Sequence, residues 1–130
     1  MANQSDYSTE LLQTWEETYK KGQLTLWMLL SLRDKPRYVA EIQQFISDVT
    51  RETITCEEQS LYRALRKFTK LEIVGFEMRE GKSGPDRKYY TLTDLGRNLL
   101  EQFIQRNIAI LFNAELEELL RIKEGEHVDA

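Results

Sequence analysis

Hydrophobic residues recur at helical spacing along the first half of the chain and predict three helices there. The first covers residues 7–21, with apolar positions three or four apart and polar residues between them. Residues 24–33 are apolar on most faces, which predicts a buried helix, and Pro36 favours a turn after it. A third helix is predicted over residues 38–49. The apolar positions are Leu11, Leu12, Trp15 and Tyr19 in the first helix and Val39, Ile42, Phe45, Ile46 and Val49 in the third.

A fourth amphipathic helix is followed by a pattern that alternates with a period of two. Thr55 and Glu58 match a capping box, which predicts a helix from Cys56 to about Leu71. Residues 74–79 then alternate apolar and other side chains, and residues 89–92 suit a return strand. The two strands predict a β-hairpin with a glycine-rich, basic turn over residues 81–87. The apolar positions are Leu61, Leu65 and Phe68 in the helix and Val74, Phe76 and Met78 in the strand.

A long apolar helix is predicted after the hairpin, with Thr93 as its cap and a bend near Asn113. The order of elements is then helix, helix, helix, helix, strand, strand, helix. This predicts a mainly α fold with a small β-hairpin, a winged helix-turn-helix with an extra helix at each end. The expected division is an amino-terminal helical extension (1–21), a winged-helix domain (22–96), a dimerisation helix (97–124) and a disordered tail (125–130).

Size and composition are typical of an ordinary cytoplasmic domain. At 130 residues and 41% hydrophobic content the chain suits one globular domain. Its longest apolar run, residues 24–32, is too short for a membrane span, and the polar amino terminus is unlike a signal peptide. Cys56 is the single cysteine, so no internal disulfide forms. We therefore expect a cytoplasmic location and no membrane partner.

Charge is unevenly distributed along the chain. The net charge is −4, yet residues 60–97 contain nine basic and five acidic side chains. The remainder is therefore strongly acidic. Because electrostatic attraction is screened over roughly 10 Å, a local basic surface matters more to a polyanion than the total. A solvated surface of mixed charge explains the composition equally well.

The fourth helix has the side chains expected of a helix that enters the major groove of DNA. Arginine addresses guanine bidentately and glutamine addresses adenine, so the first two turns are candidates for base contacts. Later basic residues suit phosphates, and Tyr62 either packs inward or donates to a phosphate. An ordinary core helix with a charged outer face is the alternative. The base-reading candidates are Gln59, Ser60 and Arg63, and the phosphate-binding candidates are Arg66, Lys67 and Lys70.

The basic residues in and beside the hairpin turn favour the DNA interpretation, because a hairpin without a ligand needs no positive charge there. Its glycines allow a close approach to the sugar-phosphate backbone or the minor groove. A solvated loop is the alternative, and three acidic residues resist the DNA interpretation: Glu57, Glu58 and Asp86. The candidate contacts here are Lys82, Ser83, Gly84, Arg87 and Lys88, with Tyr38 from the third helix.

Catalytic and metal-binding patterns are missing from the sequence. His127 is the only histidine and lies in the predicted tail, and no nucleophile–base pair or phosphate-binding glycine loop occurs. The acidic residues at 115, 117 and 118 suit a solvated helix face. Cys56 is a candidate redox sensor at a helix amino terminus, although a small structural cysteine fits better beside two glutamates. We expect neither an enzyme, nor a metal site, nor a cofactor.

Two segments resemble the PadR family of transcriptional regulators. They are Ser60-Leu61-Tyr62-Arg63-Ala64-Leu65 and Gly84-Pro85-Asp86-Arg87-Lys88-Tyr89-Tyr90-Thr91-Leu92-Thr93 with Gly96. Gly22-Gln23-Leu24 and residues 38–42 resemble the earlier part of the family's signature. The resemblance covers roughly residues 20–100. The chain departs from the pattern at Glu72, where the family's recognition helix commonly ends in glycine, and at Glu57 and Glu58.

The resemblance implies a winged-helix homodimer that usually represses transcription. The apolar outer helices also need a partner surface, and a twofold dimer would place two reading heads about 34 Å apart, which suits a near-palindromic operator. Folding of the outer helices back onto their own core is the alternative. Some family members respond to aromatic compounds near the dimer interface, for which Trp15 and Phe103 are candidates, and a plain hydrophobic interface is the alternative for these two residues. The expected interface residues are Leu12, Trp15, Tyr19, Leu100, Phe103, Ile104, Ile108, Leu111 and Phe112.

The sequence thus predicts a sequence-specific DNA-binding transcriptional regulator, a repressor that acts as a homodimer. Its expected partners are double-stranded DNA, a second copy of the chain and a small aromatic effector. The alternative is a winged-helix module that binds other proteins and has no specific affinity for DNA.

Overall fold

The computed structural model describes residues 4–123, which form six α-helices and one two-stranded antiparallel sheet. The predicted tail at residues 125–130, with His127, lies outside this part of the chain. The chain divides into two compact units, residues 1–97 and residues 98–130. The elements are α1 (Gln4–Lys20), α2 (Leu24–Ser31), α3 (Val39–Val49), α4 (Glu58–Lys70), β1 (Val74–Arg79), β2 (Arg87–Leu92), α5 (Asp94–Phe103) and α6 (Ala114–Leu120).

The core of the first unit lies where α2, α3, α4 and β1 pack in succession. Helical periodicity brings the apolar residues of each helix to one side, and their burial supplies most of the driving force for folding. On the predicted apolar face of α3, Val39, Ile42 and Ile46 are buried, Phe45 is half-buried, and Val49 at the carboxyl end is exposed. The buried residues of this core are Met28, Leu29, Leu32, Val39, Ile42, Ile46, Leu61, Leu65, Val74, Tyr90 and Leu92.

Helix α4 begins at Glu58, two residues later than predicted, and the predicted capping box is wrong. Glu57 is the N-cap residue, and its side chain makes no capping hydrogen bond. The Cys56 carbonyl accepts a 2.8 Å hydrogen bond from the side-chain amide of Gln43. This contact to α3 ties Cys56 into the preceding loop, so Thr55 is too far from the first turn to cap it.

The carboxyl end of α4 is a Schellman motif in which Glu72 takes the position usual for glycine. The Glu72 N–H donates to the Thr69 carbonyl at 3.0 Å, and the Ile73 N–H donates to the Phe68 carbonyl at 2.9 Å. Glu72 has a φ of 63°, in the left-handed region. The motif turns the chain directly from α4 into β1.

The hairpin pairs Val74 with Leu92 at its base and Arg79 with Arg87 at its tip. Strand β2 begins at Arg87, so Arg87 and Lys88 are strand residues and only residues 80–86 connect the strands. An isolated bridge joins Arg37 to Tyr90 through two backbone hydrogen bonds of 2.9 and 3.1 Å. This bridge, which the sequence analysis missed, attaches the start of α3 to the hairpin.

The predicted long final helix is wrong beyond Phe103. Thr93 does cap α5, because its hydroxyl oxygen accepts from the Gly96 N–H at 3.0 Å. A π-helical turn (Ile104–Ile108) and a 3-10 turn (Ala109–Leu111) follow α5. Asn113 then begins α6, since its side-chain oxygen accepts from the Leu116 N–H at 2.9 Å. The predicted bend at Asn113 is therefore an N-cap.

Helix α1 starts at Gln4 and has no buried residue. Within the described part of the chain, no helix combines the length and the hydropathy that crossing a membrane would require.

Candidate nucleic-acid interface

The outer face of α4 is a continuous polar and basic stripe opposite its apolar face. Leu61 and Leu65 are fully buried on the inner side of the helix. At 100° per residue, four exposed side chains fall within an arc of about 60° on the outer side. We call them the α4 stripe: Gln59, Arg63, Arg66 and Lys70. Lys67 is exposed beside the stripe, and Ser60 is half-buried at its edge.

The cations of the α4 stripe have no carboxylate partner among residues 4–123. Ion pairs join Glu77 to Arg79 and Asp94 to Arg97, away from α4. Arg63, Arg66 and Lys70 therefore keep their hydrogen-bond donors free for an anionic ligand such as phosphate.

Glu57 and Glu58, which resisted the DNA interpretation, flank the stripe. Helical geometry turns Glu58 about 100° away from Gln59, and Glu58 lines the cleft between α4 and the hairpin. Glu57 precedes the helix and lines a separate cavity near Thr55 and Lys20. Carboxylates in these positions interact favourably with the positive, amino-terminal end of the helix dipole, and the centre of the α4 stripe remains basic.

The hairpin loop presents its polar residues to solvent. Lys82, Ser83 and Gly84 are all exposed. Gly81 admits no side chain, since an added Cβ would collide with the Pro85 carbonyl oxygen. The loop therefore folds back on itself, and Lys82 lies at its exposed edge.

The other predicted basic residues of the hairpin lie against aromatic rings. The Arg87 guanidinium carbon lies 4.3 Å from the centre of the Tyr38 ring, and Lys88 Nζ lies 4.4 Å from the centre of the Phe76 ring. Such cation–π contacts attract a cation to a ring face without neutralising its charge. Tyr38, predicted only as a DNA contact, thus joins α3 to the hairpin.

Arg37 and Arg79 are structurally important arginines that the sequence analysis did not single out. Arg37 Nε donates to the Ser31 carbonyl at 2.6 Å, and its guanidinium carbon lies 4.7 Å from the Phe45 ring centre. Arg79 pairs with Glu77 at 2.7 Å. The spacing of Glu77 and Arg79, two apart on one strand, is the signal that would have predicted the second contact.

An open cleft of about 470 Å³ separates the first turns of α4 from the hairpin. Tyr62, which is exposed, forms part of its α4 wall, and Tyr90 is buried at its base. Burial raises the pKa of the Tyr90 hydroxyl above its usual value, with a further rise from Tyr62 and an opposing effect of Arg66. The Tyr90 hydroxyl therefore stays protonated and neutral at physiological pH.

Cys56 lines a second cavity of about 630 Å³, between the end of α1 and the start of α4. Lys20 Nζ donates to the Thr53 carbonyl at 2.8 Å on the same side. Partial burial raises the pKa of the Cys56 thiol, which opposes the thiolate form that a redox sensor needs. Nowhere between residues 4 and 123 do three or more potential metal-ligating side chains come together.

The residues predicted for a dimer interface divide between the two units. In the first unit, Trp15 is 72% exposed, and Leu12 and Tyr19 are also largely exposed. In the second unit, Leu100 is buried, and Ile104 and Ile108 are half-buried. The exposed members of the second unit are Phe103, Leu111 and Phe112.

The three-helix core, the hairpin that follows α4 and the backbone bridge at Arg37 together define a winged helix-turn-helix protein. The sequence profile of the transcriptional regulator PadR-like family matches residues 28–102. An uncharacterized protein from Lysinibacillus sphaericus is 31% identical over 85 residues, 65% of this chain and 78% of that protein. This chain therefore belongs to the PadR-like family of transcriptional regulators.

Solved structures of the same family have the same fold. A PadR family transcription regulator from hypervirulent Clostridium difficile R20291 is 25% identical, with a TM-score of 0.60, over 76% of this chain and 98% of that one. Bacillus subtilis PadR, solved in complex with operator DNA, is 22% identical, with a TM-score of 0.61. That match covers 78% of this chain and 57% of the Bacillus subtilis chain.

Proposed function

We propose that this chain is a sequence-specific DNA-binding regulator that represses transcription from a near-palindromic operator. The observation that carries the proposal is the α4 stripe, whose cations have no carboxylate partner in the described structure and which lies opposite the buried face of the helix. The operator complex of Bacillus subtilis PadR, which has the same fold, supports it.

Each part of the interface has a proposed role. Gln59, Ser60 and Arg63, in the first turns of α4, address base edges in the major groove. Arg66, Lys67 and Lys70 follow and bind phosphates, which position the helix without reading sequence. The hairpin is the wing, in which Lys82, Ser83 and Gly84 approach the DNA backbone, while Arg87 and Lys88 project from β2.

Homodimerisation is the second part of the proposal. Isolated exposed apolar residues are normal, but Leu12, Trp15 and Tyr19 share one arc of α1 at helical spacing. A twofold dimer that covers this arc would present two copies of α4 to successive major grooves. The operator would then consist of two half-sites with inverted symmetry.

The test is binding of the purified chain to a fragment containing its own promoter, at several salt concentrations. We expect saturable binding that weakens as salt rises, since each phosphate contact releases a counterion and contributes about −0.9 to the slope of log affinity against log salt. The same fragment upstream of a reporter gene should lose expression when the chain is present. Absence of salt-dependent binding at low salt would refute DNA recognition, and a rise in expression would refute repression.

An aromatic effector near Trp15 completes the proposal. Trp27, half-buried in α2, also fluoresces and is therefore replaced by phenylalanine before measurement. An aromatic compound bound beside Trp15 should quench the remaining fluorescence and reduce DNA affinity at the same concentration. Quenching without loss of DNA binding would contradict a regulatory role.

A further inference from the structure

A continuous series of stacked side chains runs from the start of α3 onto the hairpin. The Arg87 guanidinium carbon lies 4.3 Å from the centre of the Tyr38 ring. The Tyr38 ring meets the Tyr89 ring edge to face, with centres 5.3 Å apart and an interplanar angle of 72°. Arg79 covers the Tyr89 ring at 4.2 Å and is held in turn by Glu77. We call this series the Tyr38 stack.

The backbone fixes Tyr38 from both sides. Its N–H donates to the Glu41 carboxylate at 3.3 Å, at the amino-terminal end of α3. Its neighbour Arg37 exchanges two backbone hydrogen bonds with Tyr90 of β2. The Tyr38 ring therefore has a defined position relative to β2, and Tyr89 restricts its rotation.

The Arg87 guanidinium carbon lies over the Tyr38 ring, and the N–H donors of the group make no hydrogen bond to another residue of the described chain. A guanidinium carries its five N–H donors at its edge, in the plane that matches phosphate. Within residues 4–123 no carboxylate lies within ion-pair distance of Arg87, not even that of its neighbour Asp86. Arg87 is exposed at the start of β2, so these donors face solvent.

Lys82 provides the contrast within the same hairpin. It is exposed in the loop, and the structure places no ring or carboxylate of the described residues against it. Immobilising such a side chain on binding costs conformational entropy. Arg87 has already lost much of this freedom.

We propose that Tyr38 is a positioning residue that holds Arg87 in the orientation in which its guanidinium edge binds one phosphate of the DNA backbone. This inference rests on the proposed DNA-binding function and assigns to Tyr38 a role that acts through Arg87. Tyr38 need not touch DNA, and its hydroxyl is dispensable.

A double-mutant cycle on DNA affinity tests the proposal, with Tyr38→Leu, Arg87→Ala and the double variant. We expect Arg87→Ala to weaken binding about tenfold and Tyr38→Leu about threefold, in line with an exposed cation–π contact and one lost phosphate contact. The double variant should bind no more weakly than Arg87→Ala alone, since without Arg87 there is nothing for the ring to position. Tyr38→Phe should bind within about twofold of the wild type, because it keeps the ring.

Lys82→Ala is the matched control, because it removes a wing cation outside the Tyr38 stack. The double variant of Lys82→Ala and Tyr38→Leu should lose DNA affinity by the product of the two single fold-changes. Multiplicative losses for Tyr38→Leu and Arg87→Ala would overturn the proposal. So would a Tyr38→Phe variant as weak as Tyr38→Leu, which would mean that the hydroxyl contacts DNA directly.

Nuclear magnetic resonance of the free protein supplies a readout that needs no DNA. The side-chain protons of Arg87 should be shifted upfield by the ring current of residue 38 in the wild type and in Tyr38→Phe, but not in Tyr38→Leu. If the wild type shows no such shift, the stack does not form and the proposal fails. If the wild type binds no DNA, the proposed function itself fails, whereas wild-type DNA binding that Tyr38→Leu leaves unchanged defeats only the positioning role.

Discussion

Glu72 pays a conformational cost that glycine would avoid. Its φ of 63° places it in the left-handed region, where a side chain costs roughly 1–2 kcal/mol. The Schellman hydrogen bonds at this position use only backbone atoms, and the Glu72 backbone carbonyl accepts a 2.6 Å hydrogen bond from the Thr93 hydroxyl, so none of these bonds involves the Glu72 side chain. The side chain is exposed and contributes no ion pair within the described chain.

We therefore expect Glu72→Gly to stabilise the protein by about 0.5–1 kcal/mol, after the greater entropy of glycine in the unfolded chain is subtracted. Thermal unfolding with and without the substitution measures the change. Arg63→Gly is the control, because Arg63 is an exposed residue in the interior of α4, where glycine should destabilise by about 1 kcal/mol. A lower melting temperature for Glu72→Gly would contradict the interpretation of its backbone.

Cys56 should react slowly with alkylating reagents. Burial raises the pKa of its thiol above the usual value, so the thiolate fraction at neutral pH is smaller than in an unfolded chain. We expect iodoacetamide to modify the folded protein more slowly than the protein in urea at pH 7.5. As the pH rises, the rate should level off at a higher pH in the folded protein. Faster reaction of the folded protein would restore the redox-sensor hypothesis.

At the level of elements, hydrophobic periodicity carried most of the correct predictions. It placed all four helices of the first unit and both strands, because apolar spacing reflects a face that must be buried. Hydrophobic periodicity failed where a hydrogen bond from a polar side chain decides the boundary of a helix. Gln43, distant in sequence, fixes the loop before α4, and the Asn113 side chain starts a separate α6.

The candidate interface was only partly predictable for a related reason. The exposed stripe on α4 follows from helical geometry alone, so its residues could be placed from the sequence. The contacts of Arg87 and Lys88 depend on aromatic rings brought near by folding, among them Tyr38, which lies almost 50 residues earlier. No local pattern in the chain encodes such a pairing.

Helix α4 allows base recognition and phosphate binding to be separated by experiment. Arg63 belongs to the α4 stripe and lies in the amino-terminal half of the helix, and Lys67 lies beside the stripe one turn later. Arg63→Ala should weaken binding to the operator by about 1–3 kcal/mol and reduce the difference between the affinities for operator and for unrelated DNA. Lys67→Ala should weaken binding to both evenly and reduce the salt slope by about 1. Equal behaviour of the two variants would contradict this division of roles.

At the scale of the whole molecule, charge is segregated in a way that the net value of −4 conceals. Residues 60–97 have a positive excess of four charges, and the rest of the chain is acidic. An acidic remainder discourages indiscriminate attachment to nucleic acid, so that affinity depends on the α4 stripe and the wing.

Assembly is the property of the whole molecule that the exposed face of α1 predicts. Leu12, Trp15 and Tyr19 lie within an arc of about 60° on that helix, and Trp15 is the most exposed of the three. Covering a tryptophan removes more apolar area from water than covering almost any other side chain. We expect Trp15→Glu to raise the dissociation constant of the homodimer at least about 100-fold, since two copies lose roughly 1.5–3 kcal/mol each.

Sedimentation equilibrium at micromolar concentration should then find dimer for the wild type and monomer for Trp15→Glu. Glu17→Lys is the control, because Glu17 lies on the opposite side of α1 and should leave the dimer intact. The monomeric variant should keep its melting transition, since Trp15 is not part of the core of the first unit. Its affinity for a two-half-site operator should fall towards that for a single half-site. If the Trp15→Glu protein remains dimeric, the dimer interface does not include this face of α1.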